Sequence, residues 1–278
     1  MQKMDKSFLV KMFGFPASLI HGDTLVLDRW FWLKRHLPET ANGERLIDIG
    51  CGTGAFTIGA ARRGYTALGL SWDERNQRVA SERAGLCNAP QASFEVQDLR
   101  SLRARQDLID KFHVAICFEN IEHILDDRKL MRDIVGCLKP GGRLLLTTPN
   151  YHFRAMTQGD MGPFPTVEDG SHVRRGYSVG MLAELCAETG LIVEEVSYCS
   201  GFLSQKITQL LRLLSHIHPL FGWGITFPLR ILPLIFDRIL TPGLRWPYFS
   251  ICLEAYKPRF TTTAPIEAAG AVSISQKL

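Results

Sequence analysis

No C-x-x-C pair occurs among the seven cysteines of this 278-residue chain, at positions 51, 87, 117, 137, 186, 199 and 252. Their odd number and their places inside apolar runs give no sign of zinc or redox chemistry and fit a reducing cytoplasm. Long basic blocks are also missing. The net charge of +4 is spread along the chain, with short clusters such as Arg62-Arg63 and Arg174-Arg175, so nucleic acid is not an expected partner. The start, "MQKMDKSFLVKMFGFPASLIHGD", has no sustained apolar run of signal-peptide type, and no export signal is expected. Nor is there an unbroken apolar stretch of roughly 20 residues, as a membrane span needs. Pro219, Pro228, Arg230 and Pro233 interrupt the most apolar region.

What is present is ample apolar material: 46% of residues are hydrophobic, enough for a sizeable core in one large domain or two small ones. Residues 23–37, "DTLVLDRWFWLKRHL", carry apolar residues at helical spacing behind Asp23 and stop at Pro38, which predicts an N-terminal helix. Short apolar runs then alternate with helical segments. Strands are expected at 45–49, 66–70, 93–96, 113–118 and 143–148. Helices are expected near 55–63, 74–83 and 127–138, with a turn at Lys139-Pro140-Gly141-Gly142. This alternation predicts an α/β fold, a doubly wound sheet covered by helices on both faces.

The first strand runs into "LIDIGCGTGAF", residues 46–56, where Gly50, Gly52 and Gly54 stand at alternate positions behind Asp48. Glycines in a strand-to-helix loop let backbone N–H groups approach a ligand, and Thr53 adds a polar donor. A tight turn without a ligand is the alternative. The G-x-G-x-G spacing departs from the G-x-G-x-x-G dinucleotide fingerprint and disfavours a nicotinamide dehydrogenase. Together with "FEVQDLR", "FHVAICFENIEHILDD" and "LKPGGRLLLTTPN" in that order, the loop resembles the class I S-adenosylmethionine-dependent methyltransferases over residues 44–198. The resemblance implies a Rossmann-like seven-stranded sheet with its last strand antiparallel. It also implies that Asp48 and the three glycines surround the methionine part of S-adenosylmethionine, with Asp98 and Leu99 at the adenine.

The family commonly ends its second strand with an acid that accepts both ribose hydroxyls, but this chain has Ser71, with Asp73 two residues on. A hydroxyl accepts a weaker bond than a carboxylate. Methyltransferases of the cyclopropane-fatty-acid type look similar here, with a downstream glutamine comparable to Gln77. The ribose contact therefore falls to Asp73 or to Ser71 with Gln77, unless Asp73 is a helix cap.

A sulfonium methyl is already electrophilic, so the protein must hold the nucleophile in line, exclude water and, where needed, take a proton. Glu119, Glu122 and His123 in "ENIEH", beyond the fourth strand, and His172 in the connection after the fifth are the candidate catalytic residues. E-x-x-E-H with a later histidine resembles the metal-binding set of small-RNA 2′-O-methyltransferases and part of the ubiquinone-pathway O-methyltransferase site. A divalent ion such as Mg²⁺ and a simple base both stay open. Trp30, Trp32, Phe153, Phe164 and Tyr177 are candidates for shielding a cation, with core or lid packing as the alternative.

A sixth strand is expected at 191–198 and a seventh at 249–258, separated by an apolar, arginine-bearing insertion at 199–247 where a short hairpin is usual. A helical lid, a membrane-surface segment and a dimer interface compete for it. Residues 1–43 read as an N-terminal helical segment, 248–258 as the last core strand, and 259–278 as a disordered tail. The expected function is cytoplasmic methyl transfer to a hydrophobic small molecule such as a terpenoid, quinone or lipid intermediate, with oxygen favoured over carbon. Peripheral membrane contact and homo-oligomerisation stay open. The rival from another class is a non-catalytic module that binds the cofactor for stability and a partner through the insertion.

Overall fold

The computed structural model describes residues 7–20 and 23–259. The expected tail therefore lies, apart from Arg259, outside the described residues. Three helices open the chain: α1 (Phe8–Phe13), α2 (Phe15–Ile20) and α3 (Thr24–His36). Asp23 caps α3, its carboxylate accepting from the backbone N–H groups of Leu25 and Val26. The first two were not anticipated, because helices this short carry too few turns to show a period.

The alternating region then follows as β1 (Arg45–Ile49), α4 (Ala55–Ala61), β2 (Thr66–Ser71), α5 (Glu74–Leu86), β3 (Ala92–Val96) and β4 (Phe112–Phe118). It continues through α6 (Asp127–Cys137), β5 (Leu138–Pro149), α7 (Val179–Glu188) and β6 (Ile192–Cys199). After these come α8 (Phe202–Ile217), α9 (Pro219–Thr226), α10 (Leu232–Gly243) and β7 (Ser250–Tyr256). The seven strands lie in the order β3-β2-β1-β4-β5-β7-β6, with β7 antiparallel to both neighbours, so the expected sheet is the observed one. One detail differs: residues 139–142 are a bulge inside β5 rather than a turn before it. Phe112 pairs with Leu138 and Val114 with Arg143, so the extra residues leave the ladder between them.

Alternation along the strands makes two cores. Ile47, Ile49, Ala115 and Cys117 face α6 and α7, whereas Leu46, Val114 and Ile116 face α3 and α4. Several aromatics expected near a substrate belong to this packing. Trp30 and Trp32 are buried with α3, the latter donating to Ser197 Oγ at 2.9 Å. Tyr177 is fully buried and donates to Asp127. Trp30 and Trp32 are core residues because the apolar stripe of α3 must cover the sheet, and Tyr177 belongs to the opposite core with residues of α6 and α7.

The segment between β6 and β7 is helical and closes on itself at its root. Gly201 precedes α8 without a side chain to cap it, and α10 supplies the missing acceptors. Asp237 accepts from the N–H groups of Leu203 and Ser204, and Thr241 Oγ1 from that of Phe202. Gln205 Nε2 donates to the carbonyls of Ser200 and Pro247.

Candidate active site

The carboxyl ends of β1, β2 and β4 meet where strand order reverses, the place at which open α/β sheets bind ligands. Asp48, Gly50, Gly52, Thr53, Phe56 and Phe118 line a cavity of about 240 Å³ there, with Ser18, Val26 and Arg83 contributed by α2, α3 and α5. The three glycines are not equivalent. A Cβ on Gly50 would collide with Asn120, and one on Gly54 would lie 2.7 Å from Phe94 and 2.8 Å from Ala80, so both are required by packing. Gly52, at φ +52°, has no described atom beyond itself and its chain neighbours within 4 Å of where its Cβ would stand. It is the glycine that leaves room for a ligand.

Asp48 is buried, accepts from Thr57 Oγ1 at 2.6 Å, and is pushed up to about 7 by burial. Arg83, also buried, donates to Thr53 Oγ1 at 2.8 Å. Asn120 sits beside Gly50 with a buried Nδ2 that has no hydrogen-bond partner among the described residues. An unpaired buried donor beside an open backbone cradle fits the polar end of an amino-acid-bearing cofactor. Asn120 and Arg83 were missed in the sequence; the first stands between two more conspicuous acids, and the second lies in a helix chosen for its period alone.

At the opposite end, Gln97 N–H donates to Ser71 O and brings Asp98 beside the end of β2. Asp98 accepts from Arg100 N–H at 2.9 Å, and its bond to the Arg100 guanidinium holds it below the usual carboxylate range. Leu99 is buried next to it. Asp73 is a helix cap: its Oδ1 accepts from Arg75 N–H at 2.8 Å and Asn76 N–H at 3.1 Å. Gln77 is buried and its amide donates to the carbonyls of Glu95, Ser71 and Gly69, so it ties strand ends together. Gln77 thus has its amide group occupied by the strand ends, whereas the cap uses only Oδ1 of Asp73. Ser71 remains in position, followed by Trp72, which is 65% exposed and presents a flat apolar face at the strand end.

The four candidate catalytic residues divide into three and one. Glu119 pairs with Arg29 at 3.0 Å and accepts from Ser250 Oγ at 3.0 Å, which withdraws its carboxylate from the histidines. Glu122 is wholly buried, with Oε2 accepting from Thr148 Oγ1 at 3.1 Å. Its Oε1 has no hydrogen-bond partner among the described residues and lies 4.0 Å from Nε2 of both His123 and His172. The imidazoles meet edge to face, with centroids 4.6 Å apart. One donor atom from each of Glu122, His123 and His172 falls within 4.8 Å of the others.

Burial, then the nearby Glu119 charge, raises the Glu122 carboxyl well above its ordinary range. Burial, then His123, lowers His172 to about 4, so it is neutral at physiological pH. Val173 N–H donates to Glu122 O at 3.0 Å, and the carbonyls of Ile124 and Leu125 accept from Arg174, which fastens the His172 loop over β4. The insertion reaches the same mouth: Arg212 of α8 is 4.0 Å from Asp160, and Gln209 donates to Met156 O.

Residues 31–196 match the family described as a methyltransferase domain. A ubiquinone biosynthesis O-methyltransferase of Aeromonas salmonicida (strain A449) is 28% identical over 161 residues, 56% of this chain and 66% of that protein. The chain spans about half to two thirds of the length of the curated relatives it matches. Phosphoethanolamine N-methyltransferase 2 of Haemonchus contortus, solved with S-adenosyl-L-methionine, superposes with a TM-score of 0.59 at 18% identity, covering 92% of this chain and 61% of that one. The [4+2]-cyclase SpnF superposes with a TM-score of 0.58 at 20% identity, covering 84% and 81%. At those identities the two structures speak for the fold alone.

Proposed function

Since the chain belongs to the class I S-adenosylmethionine-dependent methyltransferases, we propose that it methylates a hydroxyl oxygen on a hydrophobic, quinone-type small molecule. The observation that carries this reading is the Glu122–His123–His172 cluster, in which Oε1 of the buried Glu122 has no hydrogen-bond partner among the described residues and the partly exposed imidazoles stand between it and solvent. Bound S-adenosylmethionine supplies a sulfonium methyl that a nucleophile attacks in line. Gly52 admits its amino-acid end, with Asp48 and Asn120 beside it. Methylating a neutral hydroxyl releases one proton, and the His172–Glu122 pair is placed to take it: His172 is neutral, and the upshifted Glu122 carboxyl acts as a base only in its ionised form. The name of the Aeromonas relative supports oxygen and a quinone-type acceptor. The insertion then supplies the wall of the acceptor site through α8.

The same three donor atoms favour a second reading, in which they hold a divalent cation that lowers the pKa of the acceptor hydroxyl. Glu122→Gln should retain S-adenosylhomocysteine affinity while lowering kcat by at least about a hundredfold, within the range for a lost general base. Unchanged kcat would remove Glu122 from the chemistry. Metal binding by the free protein, lost in Glu122→Gln, separates the cation from the simple base.

A further inference from the structure

The helix α10 has its amphipathicity reversed. Its buried positions are Pro233, Asp237 and Thr241, while Ile235, Phe236 and Ile239 are exposed. A helix on the water-facing surface of a globular protein does the opposite, turning its apolar stripe inward. The polar residues are inside for a local reason, since Asp237 and Thr241 cap α8. No such reason accounts for the apolar outer face, and Ile217 at the end of α8 and Leu220 and Phe221 on α9 are exposed as well.

Charge identifies what covers this face. Between residues 199 and 247 the ionised side chains are Lys206, Arg212, Arg230, Arg238 and Arg245 against Asp237 alone, and Arg230 and Asp237 are buried. The exposed charge is therefore all positive. A second copy seated on the face through a two-fold axis would set these cations against themselves. An anionic lipid surface matches both the sign and the apolar face.

We propose that α9 and α10 form an interfacial docking surface for an anionic lipid bilayer, lying along it with the apolar residues in the headgroup–acyl boundary. No single helix among the described residues is long and apolar enough to cross a membrane. Pro219–Thr226 and Pro228–Gly243 reach that length only together and are bent by 43°. The contacts of Asp237 and Thr241 with α8 hold α10 against the protein. This surface is separate from the methyl-transfer reading and stands or falls apart from it.

The test is sedimentation of the full chain with phosphatidylcholine vesicles, with and without phosphatidylglycerol. Binding to the anionic vesicles should be at least about tenfold tighter than to the zwitterionic ones and should weaken as salt is raised. Ile235→Glu with Ile239→Glu should abolish it at unchanged S-adenosylhomocysteine affinity, which reports a folded protein. Lys206→Glu with Arg245→Glu, which leaves the apolar face intact, should remove the preference for phosphatidylglycerol. Absence of vesicle binding by the parent chain, or binding that survives both double variants, would overturn the proposal. So would a dimer in solution that the Ile235/Ile239 variant dissolves without any vesicle binding by the parent.

Discussion

Replacing Gly52 by alanine separates the cost of the loop's backbone from the cost of filling the ligand's space. With φ at +52°, a Cβ there brings the left-handed penalty of about 1–2 kcal/mol. For a chain of this size that lowers Tm by about 2–4 °C per kcal/mol. Apart from the adjoining residues, no described atom lies within 4 Å of the new methyl, so stability should lose little beyond that penalty. A ligand seated against the loop meets the methyl directly. Overpacking costs about 1–3 kcal/mol, or roughly a five- to 150-fold loss of S-adenosylhomocysteine affinity by calorimetry. Gly54→Ala is the contrast: its Cβ would press on Phe94 and Ala80, so stability should fall further than in Gly52→Ala. Parent-like affinity in a folded Gly52→Ala protein would show that the cofactor does not approach this loop.

Arg29→Met should destabilise the fold by about 3–5 kcal/mol in a urea titration, because it leaves Glu119 buried without its cation; adding Glu119→Gln should recover much of the loss. The pH dependence of stability should carry the mark of His172. Its folded value, near 4, lies below the ordinary 6.5, so as pH falls through that window the unfolded chain takes up a proton first and stability declines. His172→Ala should flatten this decline in urea midpoints, and an identical slope would show that the imidazole is not shielded.

The sheet was legible because β1, β2, β4 and β5 are buried on both faces and read as apolar runs, and because helices as long as α3 and α5 show their period. The Gly50–Gly54 loop was equally visible. Side chains whose role depends on distant partners were not. Nothing near "ENIEH" in the sequence indicates that Arg29 and Ser250 take the Glu119 carboxylate. Nor does the spacing of "SWDERNQ" decide between a ribose contact and a cap for Asp73, until the N–H groups of Arg75 and Asn76 are seen to claim it. The reversed face of α10 was hidden for a related reason. Composition marked the insertion as apolar, but only the capping of α8 by Asp237 and Thr241 determines which side turns outward.

The most direct measurement is mass spectrometry of the products after the protein is incubated with deuteromethyl-labelled S-adenosylmethionine and a catechol-type quinol. The account predicts a labelled methyl on the phenolic oxygen, formed one for one with S-adenosylhomocysteine and much reduced in Glu122→Gln. Label on carbon, or a protein that binds S-adenosylhomocysteine by calorimetry yet transfers no label to any hydroxylated acceptor, would contradict it.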